Sequence, residues 1–196
     1  KTGIPETKFE LVSAQRRHQR LPRRRPSAHG GIVLSGIDLI EQHGSDAASF
    51  GTAVHAIFEE IEWYDENAPT VFEVHREKAP AALAEVERCL AANEVASQFA
   101  PIAEADVWRE RKFMVVVDGE ICSGIFDRVV KRANYAEIVD FKTDRVQDEA
   151  ELTLAVERHR SQLDWYRRVL MQMTGLAVDQ ITCRLLFTHI QRLVEV

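Results

Sequence analysis

Glu110, Asp127, Asp140 and Lys142 are the residues of this chain whose types and spacing could do chemistry together. They lie in WRERKFMVVVDGEICSGIFDRVVKRANYAEIVDFKTDR, Trp108 to Arg145, which reads as a three-stranded β-meander. Asp118-Gly119 is a strong two-residue hairpin signal. That loop pairs Val117 with Glu120 and, counting outward, Glu110 with Asp127. A second loop at Ala133-Asn134 pairs Arg132 with Tyr135 and Asp127 with Asp140. The three carboxylates then stand side by side on one face, and Lys142 follows on that face because side chains repeat every second residue. Opposed side chains have Cβ atoms about 5 Å apart, and like charges so placed destabilise a sheet. Such a row calls for a cation, and a divalent metal is the economical answer. Mg²⁺ prefers carboxylate oxygens and retains waters for substrate phosphates. A charged lysine cannot ligate it, but can orient a water or neutralise charge developing on a phosphate. The set suits metal-assisted phosphodiester hydrolysis. A solvated sheet face laced with salt bridges is the competing reading, and the register argument requires that neither hairpin contain a bulge.

Two further places could contribute. His55 lies in GTAVHAIFEE, with Gly51 one turn earlier, where a phosphate or another backbone could approach closely. A lone helical histidine is more often packed or on the surface, although Mn²⁺ accepts imidazole more readily than Mg²⁺ does. Gln162 and Tyr166, in HRSQLDWYRRVL, are four apart and share a helix face. With Arg158, His159, Arg160, Arg167 and Arg168 they could hold a nucleic-acid strand. Equally, Leu163, Tyr166 and Leu170 could be the buried stripe of an ordinary amphipathic helix.

The elements that must position these groups follow from periodicity. Ser49 to Tyr64 reads as a helix with Phe50, Val54, Ile57, Phe58 and Ile61 on one stripe. Residues 65–79 read as a connection punctuated by Pro69 and Pro80, and residues 80–98 as a second helix with Leu83, Val86 and Leu90 inward. Strands follow at about 107–117, 120–131 and 135–143. Residues 149–174 read as a long helix that Gly175 can end. A further strand spans 181–188, and another starts at Arg192. The order α-α-β-β-β-α-β is a mixed α/β fold, a β-sheet flanked by helices.

Composition sets outer bounds. The chain has 196 residues, 45% of them hydrophobic, and a net charge of −6. That length gives one domain with an arm: residues 1–48 as a basic arm or linker, 49–196 as the folded unit. The arm carries Arg16, Arg17, Arg20, Arg23, Arg24 and Arg25 and could face nucleic acid or simply be solvated. Cys89, Cys122 and Cys183 form no zinc or iron–sulfur pattern and suggest a reduced, intracellular setting. No apolar run is long enough to span a membrane, and no signal peptide is visible. The start at Lys1 suggests a piece of a longer protein. No phosphate-binding Gly-x4-Gly-Lys loop, nucleophile elbow or His-Glu-x-x-His appears.

The ordered segments GTAVHAIFE, RERKF, SGIFDRVV, IVDFKTD and QLDWY resemble the nuclease domain of RecB- and AddA-type helicase–nucleases, in the PD-(D/E)XK superfamily. The resemblance covers about residues 49–170 and implies a restriction-endonuclease-like core. It implies a metal site of His55, Asp127 and Asp140 for Mg²⁺ or Mn²⁺, with Lys142 catalytic. Gln162 and Tyr166 would border the site and support Lys142 or the strand, and Glu110 matches an acidic position of less settled role. It further implies an exonuclease acting on single-stranded DNA ends in recombination and repair. The partners would be DNA and the helicase domains of a UvrD/Rep-like polypeptide, and the setting the bacterial cytoplasm, at the nucleoid. The four cysteines of iron–sulfur relatives are missing, so no such cluster is expected. A catalytically inactive DNA-binding or scaffold module is the alternative.

Overall fold

A computed structural model describes residues 22–24, 46–65 and 69–196 of the chain. Its elements are β1 (Arg23–Arg24), α1 (Asp46–Glu60), α2 (Pro69–Lys78), α3 (Pro80–Ala91), α4 (Asn93–Phe99), β2 (Asp106–Val117), β3 (Glu120–Lys131), β4 (Ala136–Lys142), α5 (Glu149–Thr174), β5 (Ile181–Phe187) and β6 (Arg192–Glu195). Most of the expected basic arm, Arg16, Arg17, Arg20 and Arg25 included, lies outside the described residues.

The sheet is mixed. β2, β3 and β4 form the expected meander, β4 runs parallel to β5, and β6 closes antiparallel on β5. The parallel step needs a crossover, and α5 supplies it. Asp148 caps the start of α5 by accepting from the Glu151 amide at 2.8 Å. Gly175 ends it in the left-handed conformation, φ 75°, which glycine adopts without strain. One core lies between α5 and the sheet, through Val129, Ile138, Leu163, Val169 and Leu185. The other lies between the sheet and α1–α4, through Val54, Ile57, Phe58, Val86 and Phe141. Adjacent β4 residues Ile138 and Val139 divide between the two cores, as strand alternation requires. This is the expected mixed α/β sheet flanked by helices.

Both loops form as the sequence predicts. Val117 pairs with Glu120, and Asp118 and Gly119 have φ of 51° and 78°, the signature of a type I′ turn. The Arg132 amide donates to the Tyr135 carbonyl at 2.7 Å.

The helical half differs from expectation in three ways. α1 ends at Glu60 rather than Tyr64, because two arginines of the sheet take the carbonyls around its C-terminus. Arg109 donates to the Glu59 and Glu60 carbonyls at 2.8 and 3.1 Å, and buried Arg128 to those of Ile61 and Glu62 at 3.0 and 2.8 Å. Residues 65–79 are not merely a connection: Pro69 stands at the start of α2, where its missing N–H removes no helical bond. The expected 80–98 helix breaks at Ala92, which is extended at ψ 120°, so that Val95 and Phe99 of α4 also reach the core.

Arg109 and Arg128 are cross-strand partners, and together they clamp α1 to the meander. The Arg128 guanidinium also stacks over Phe99, 4.4 Å from its centroid, and burial lowers its pKa to about 10. Arg128→Ala leaves two carbonyls unpaired and a void beside Phe99. It should reduce unfolding free energy by roughly 2–4 kcal/mol, read from urea denaturation. A loss inside experimental error would show that the clamp contributes nothing.

Candidate metal centre and nucleic-acid cleft

The antiparallel ladder between β3 and β4 runs from Lys131↔Ala136 to Arg128↔Val139 and stops there. The next pair would be Asp127 with Asp140. Instead the Phe141 amide donates to Asp127 Oδ2 at 2.8 Å. A carboxylate replaces a strand carbonyl, and the two strands part. On the other side of β3 the register Arg109↔Arg128 and Arg111↔Phe126 is continuous, yet Glu110 and Asp127 between them do not pair. Glu110 has φ 45°, a left-handed backbone that costs a non-glycine residue about 1 kcal/mol or more.

Inside–outside alternation also slips at this point. Trp108 and Phe113 of β2, five apart, both pack toward α5, and so do Phe126 and Val129 of β3, three apart. The expected row of acids on one flat face is therefore replaced by a kink in both strands. The register is as predicted, and the carboxylates still meet, but through the kink rather than through regular pleating.

They meet in a cleft of about 630 Å³ whose walls include all seven of the expected residues: His55, Glu110, Asp127, Asp140, Lys142, Gln162 and Tyr166. His55 Nδ1 is 3.6 Å from Asp127 Oδ2 and 3.9 Å from Glu110 Oε1. Potential ligand atoms of His55, Glu110 and Asp127 all lie within 4.8 Å of one another. Glu110, given no settled role from sequence, thus joins the tightest group. Asp140 sits beside this group, 2% exposed, with Oδ2 at 2.7 Å from Lys142 Nζ. Lys142 Nζ also donates to Gln162 Oε1 at 3.0 Å, while Gln162 Nε2 donates to Tyr166 Oη at 3.1 Å and approaches Asp140 Oδ1 at 3.5 Å. The amide of Gln162 is thereby oriented at both ends.

Gln162 and Tyr166 face inward, both under 5% exposed, away from the solvent face of α5. Arg158, Arg160, Arg167 and Arg168 each pair with an acid, namely Asp144, Glu157, Asp164 and Asp118. The expected strand-holding group of glutamine, tyrosine and arginines is therefore split between two faces of the helix. At Gly51 the close neighbour is a side chain: a Cβ there would lie 3.0 Å from Thr143 Oγ1, in the loop after Lys142. Two supports had no evident signal in the sequence. The Thr188 hydroxyl lies 2.5 Å from buried Glu85 Oε1 and 3.3 Å from the Lys142 carbonyl. The Arg109–Arg128 clamp fixes α1 and so the height of His55; an arginine inside the apolar run IFDRVV was its only clue.

The electrostatics fit a divalent cation. Burial, then the charge of Asp140, pushes the Asp127 carboxyl up to about 7 despite His55, the Phe141 amide and Lys142. Burial works against charge on His55, but contact with Glu110 and the fields of Asp127 and Asp140 outweigh it and raise its pKa. Burial also raises that of Tyr166, which keeps its phenol proton. Among the described residues, buried Asp140 Oδ2 accepts no well-directed hydrogen bond and lies 2.7 Å from the Lys142 ammonium. Three carboxylates, an imidazole and one ammonium leave excess negative charge among hard donors suited to Mg²⁺ or Mn²⁺.

Residues 33–194 match the model of the PD-(D/E)XK nuclease superfamily. The chain belongs to that superfamily, whose nucleases generally use divalent metals. No curated protein matches it. No helix among the described residues is long and apolar enough to cross a membrane.

The pKa shifts predict a pH signature for the metal-free protein. A carboxyl raised from 3.8 to about 7 holds its proton when folded and loses it when unfolded across that interval, so stability falls as pH rises through it. The raised His55 acts in the same direction, since its stabilising charge is lost as pH climbs. Saturating Mn²⁺ should therefore raise Tm more at about pH 8 than at about pH 5. Thermal melts at both pH values, with metal and with chelator, provide the check; an equal shift at both would contradict the assignment.

Proposed function

We propose that this chain is a Mg²⁺- or Mn²⁺-dependent deoxyribonuclease domain that hydrolyses phosphodiester bonds. One observation carries the reading: His55, Glu110 and Asp127 present ligand atoms within 4.8 Å of one another beside an Asp140–Lys142 ion pair at 2.7 Å. In this reading His55, Asp127 and Asp140 hold the cation, with Glu110 beside them. A bound divalent ion supplies Lewis-acid polarisation of the phosphate and a water made acidic enough to attack at neutral pH.

The protein's own groups do the rest. Lys142 places an ammonium where negative charge grows on the phosphoryl oxygens, and Asp140 and Gln162 hold that ammonium in position from two sides. Gln162 in turn rests on the protonated Tyr166 phenol. Tyr166 is thus a hydrogen-bonding post rather than a base. The imidazole of His55 must give up its proton to bind the ion, which couples metal affinity to pH.

Action from single-stranded ends, a role in recombination and repair, a linked helicase and a bacterial cytoplasmic setting remain parts of the same proposal. They rest on the resemblance to RecB- and AddA-type domains. The intact acidic and lysine set speaks for catalysis over a decayed binding module.

Asp140→Asn should abolish metal-dependent cleavage of labelled DNA while leaving the circular dichroism spectrum unchanged. Lys142→Met should lower kcat by roughly 10²–10³-fold with little change in DNA binding. Wild-type rates in either variant would end the assignment of that residue. DNA retention without cutting by the wild-type protein, at any Mg²⁺ or Mn²⁺ level, would favour the binding-module alternative.

A further inference from the structure

Beyond the acids, the β2–β3 hairpin extends past the point where β4 leaves it. Its two faces differ sharply. Phe113, Val115, Val117 and Cys122 turn toward α5 and are packed there. The opposite face carries three cross-strand pairs, Lys112↔Ile125, Met114↔Ser123 and Val116↔Ile121. Met114 is 65% and Val116 49% exposed on β2, while across from them Ile121 and Ile125 are half-buried and Ser123 is 8% exposed. β1 extends this face, since Arg23 is in parallel register with Ile121 and is exposed. Arg24 alternates to the other face, where its guanidinium lies 4.7 Å from the Trp165 ring centre on α5.

The exposed face is continuous with the candidate metal centre. Lys112, Met114, Ser123 and Ile125 line the same cleft as Asp127 and Lys142. Lys112 is two residues from Glu110, and Val116 lies about 13 Å further along the strand. The surface therefore runs cation, apolar strip, cation: Lys112 at the acidic end, Met114, Ile125, Val116 and Ile121 between, and Arg23 at the far end. An exposed apolar strip rimmed by charge marks an interaction surface. Cations at both ends select an anionic, extended partner over a neutral apolar one.

We infer that this hairpin face is a nucleobase subsite, on which unpaired bases of a single-stranded nucleic acid lie against Met114, Val116 and Ile125 while Lys112 and Arg23 contact the flanking phosphates. The inference rests on the nucleic-acid reading of the cleft and deepens it. In a duplex the base faces are hidden in the stack, and only sugar and phosphate could meet this wall. A splayed strand offers its base faces directly. Methionine is unbranched and polarisable and adapts to any base, so the subsite tolerates sequence. A strand held here has its next phosphates at Lys142 and the acids.

The test uses the full chain with chelator, so that binding is read without cutting. Fluorescence anisotropy compares a labelled oligothymidylate, an abasic oligomer of equal length and phosphate count, and a duplex. The wild-type protein should bind the oligothymidylate about tenfold more tightly than the abasic oligomer, a difference that covering roughly 50 Å² of apolar surface with a base would supply at about 25 cal/mol per Å². The double variant Met114→Ser, Val116→Ser alters only exposed positions; a thermal melt confirms its fold. It should remove most of that difference and leave abasic and duplex affinities unchanged. Equal wild-type affinity for oligothymidylate and abasic oligomer, no binding of oligothymidylate, or a variant that loses all three ligands equally would overturn the inference. Cleavage with Mn²⁺ is scored separately. Base-dependent binding without cleavage would support the subsite while defeating the nuclease reading.

Discussion

Everything at the cleft depends on one substitution of hydrogen-bond partner: the Asp127 carboxylate, not a strand carbonyl, receives the Phe141 amide. Had β3 and β4 stayed paired, Asp127 and Asp140 would lie in a closed ladder with no room between them for a phosphate. Because they part, β4 carries Asp140 and Lys142 into parallel pairing with β5 while β3 continues with β2 alone. The opening is therefore a topological event, a strand leaving its neighbour, and the acids sit at the fork. The unusual backbone of Glu110 falls on the same level. Strain and like-charge repulsion are concentrated where a cation would relieve the second of them.

Such a fork needs rigid walls. On one side the Arg109–Arg128 clamp binds the C-terminal carbonyls of α1, and the favourable meeting of cations with the negative end of a helix adds to the hydrogen bonds. His55 stands about one turn before that end, so its position is set from the sheet rather than by the cluster it faces. On the other side the buried Gln162–Tyr166 pair is set by the core of α5, and Phe113 and Phe126 lock Tyr166 edge-on at 5.8 and 5.2 Å. Both walls are thus held by contacts that exist without metal. Such preorganisation lets a site act without first rearranging.

The legible and illegible parts of the sequence divide along physical lines. Local chemistry was readable. Asp118-Gly119 gave the turn and hence the register from Val117↔Glu120 to Arg109↔Arg128, and Gly175 marked the end of α5. Two-residue periodicity named the acids, although their convergence comes from a kink that periodicity cannot foresee. Non-local compensation was not readable. Nothing in HAIFEEIEWY says that distant arginines would stop α1 at Glu60, and proline at the head of α2 looks the same in sequence as proline in a loop. The break at Ala92 has no glycine or proline to announce it, and its outcome, Val95 and Phe99 in the core, is visible only in the fold. His55 by itself was ambiguous, and only its nearness to Asp127 and Glu110 in space separates it from a packed histidine.

The same division explains why the hairpin has one packed face and one partly open one. Gly124 leaves no side chain opposite Phe113; a Cβ there would come within 2.7 Å of the ring. The Phe113 ring fills that space and packs with Phe126 and Tyr166, and with Val115, Val117 and Cys122 it covers the α5-facing side of the hairpin. With one face satisfied, the hairpin stays folded without burying Met114 or Val116. Those residues are free to serve a ligand rather than the core. The hydrolysis proposed for the fork requires only a phosphate and so discriminates little among nucleic acids. In the proposed reading, selection falls to the hairpin face that adjoins the cleft, an apolar strip between Lys112 and Arg23.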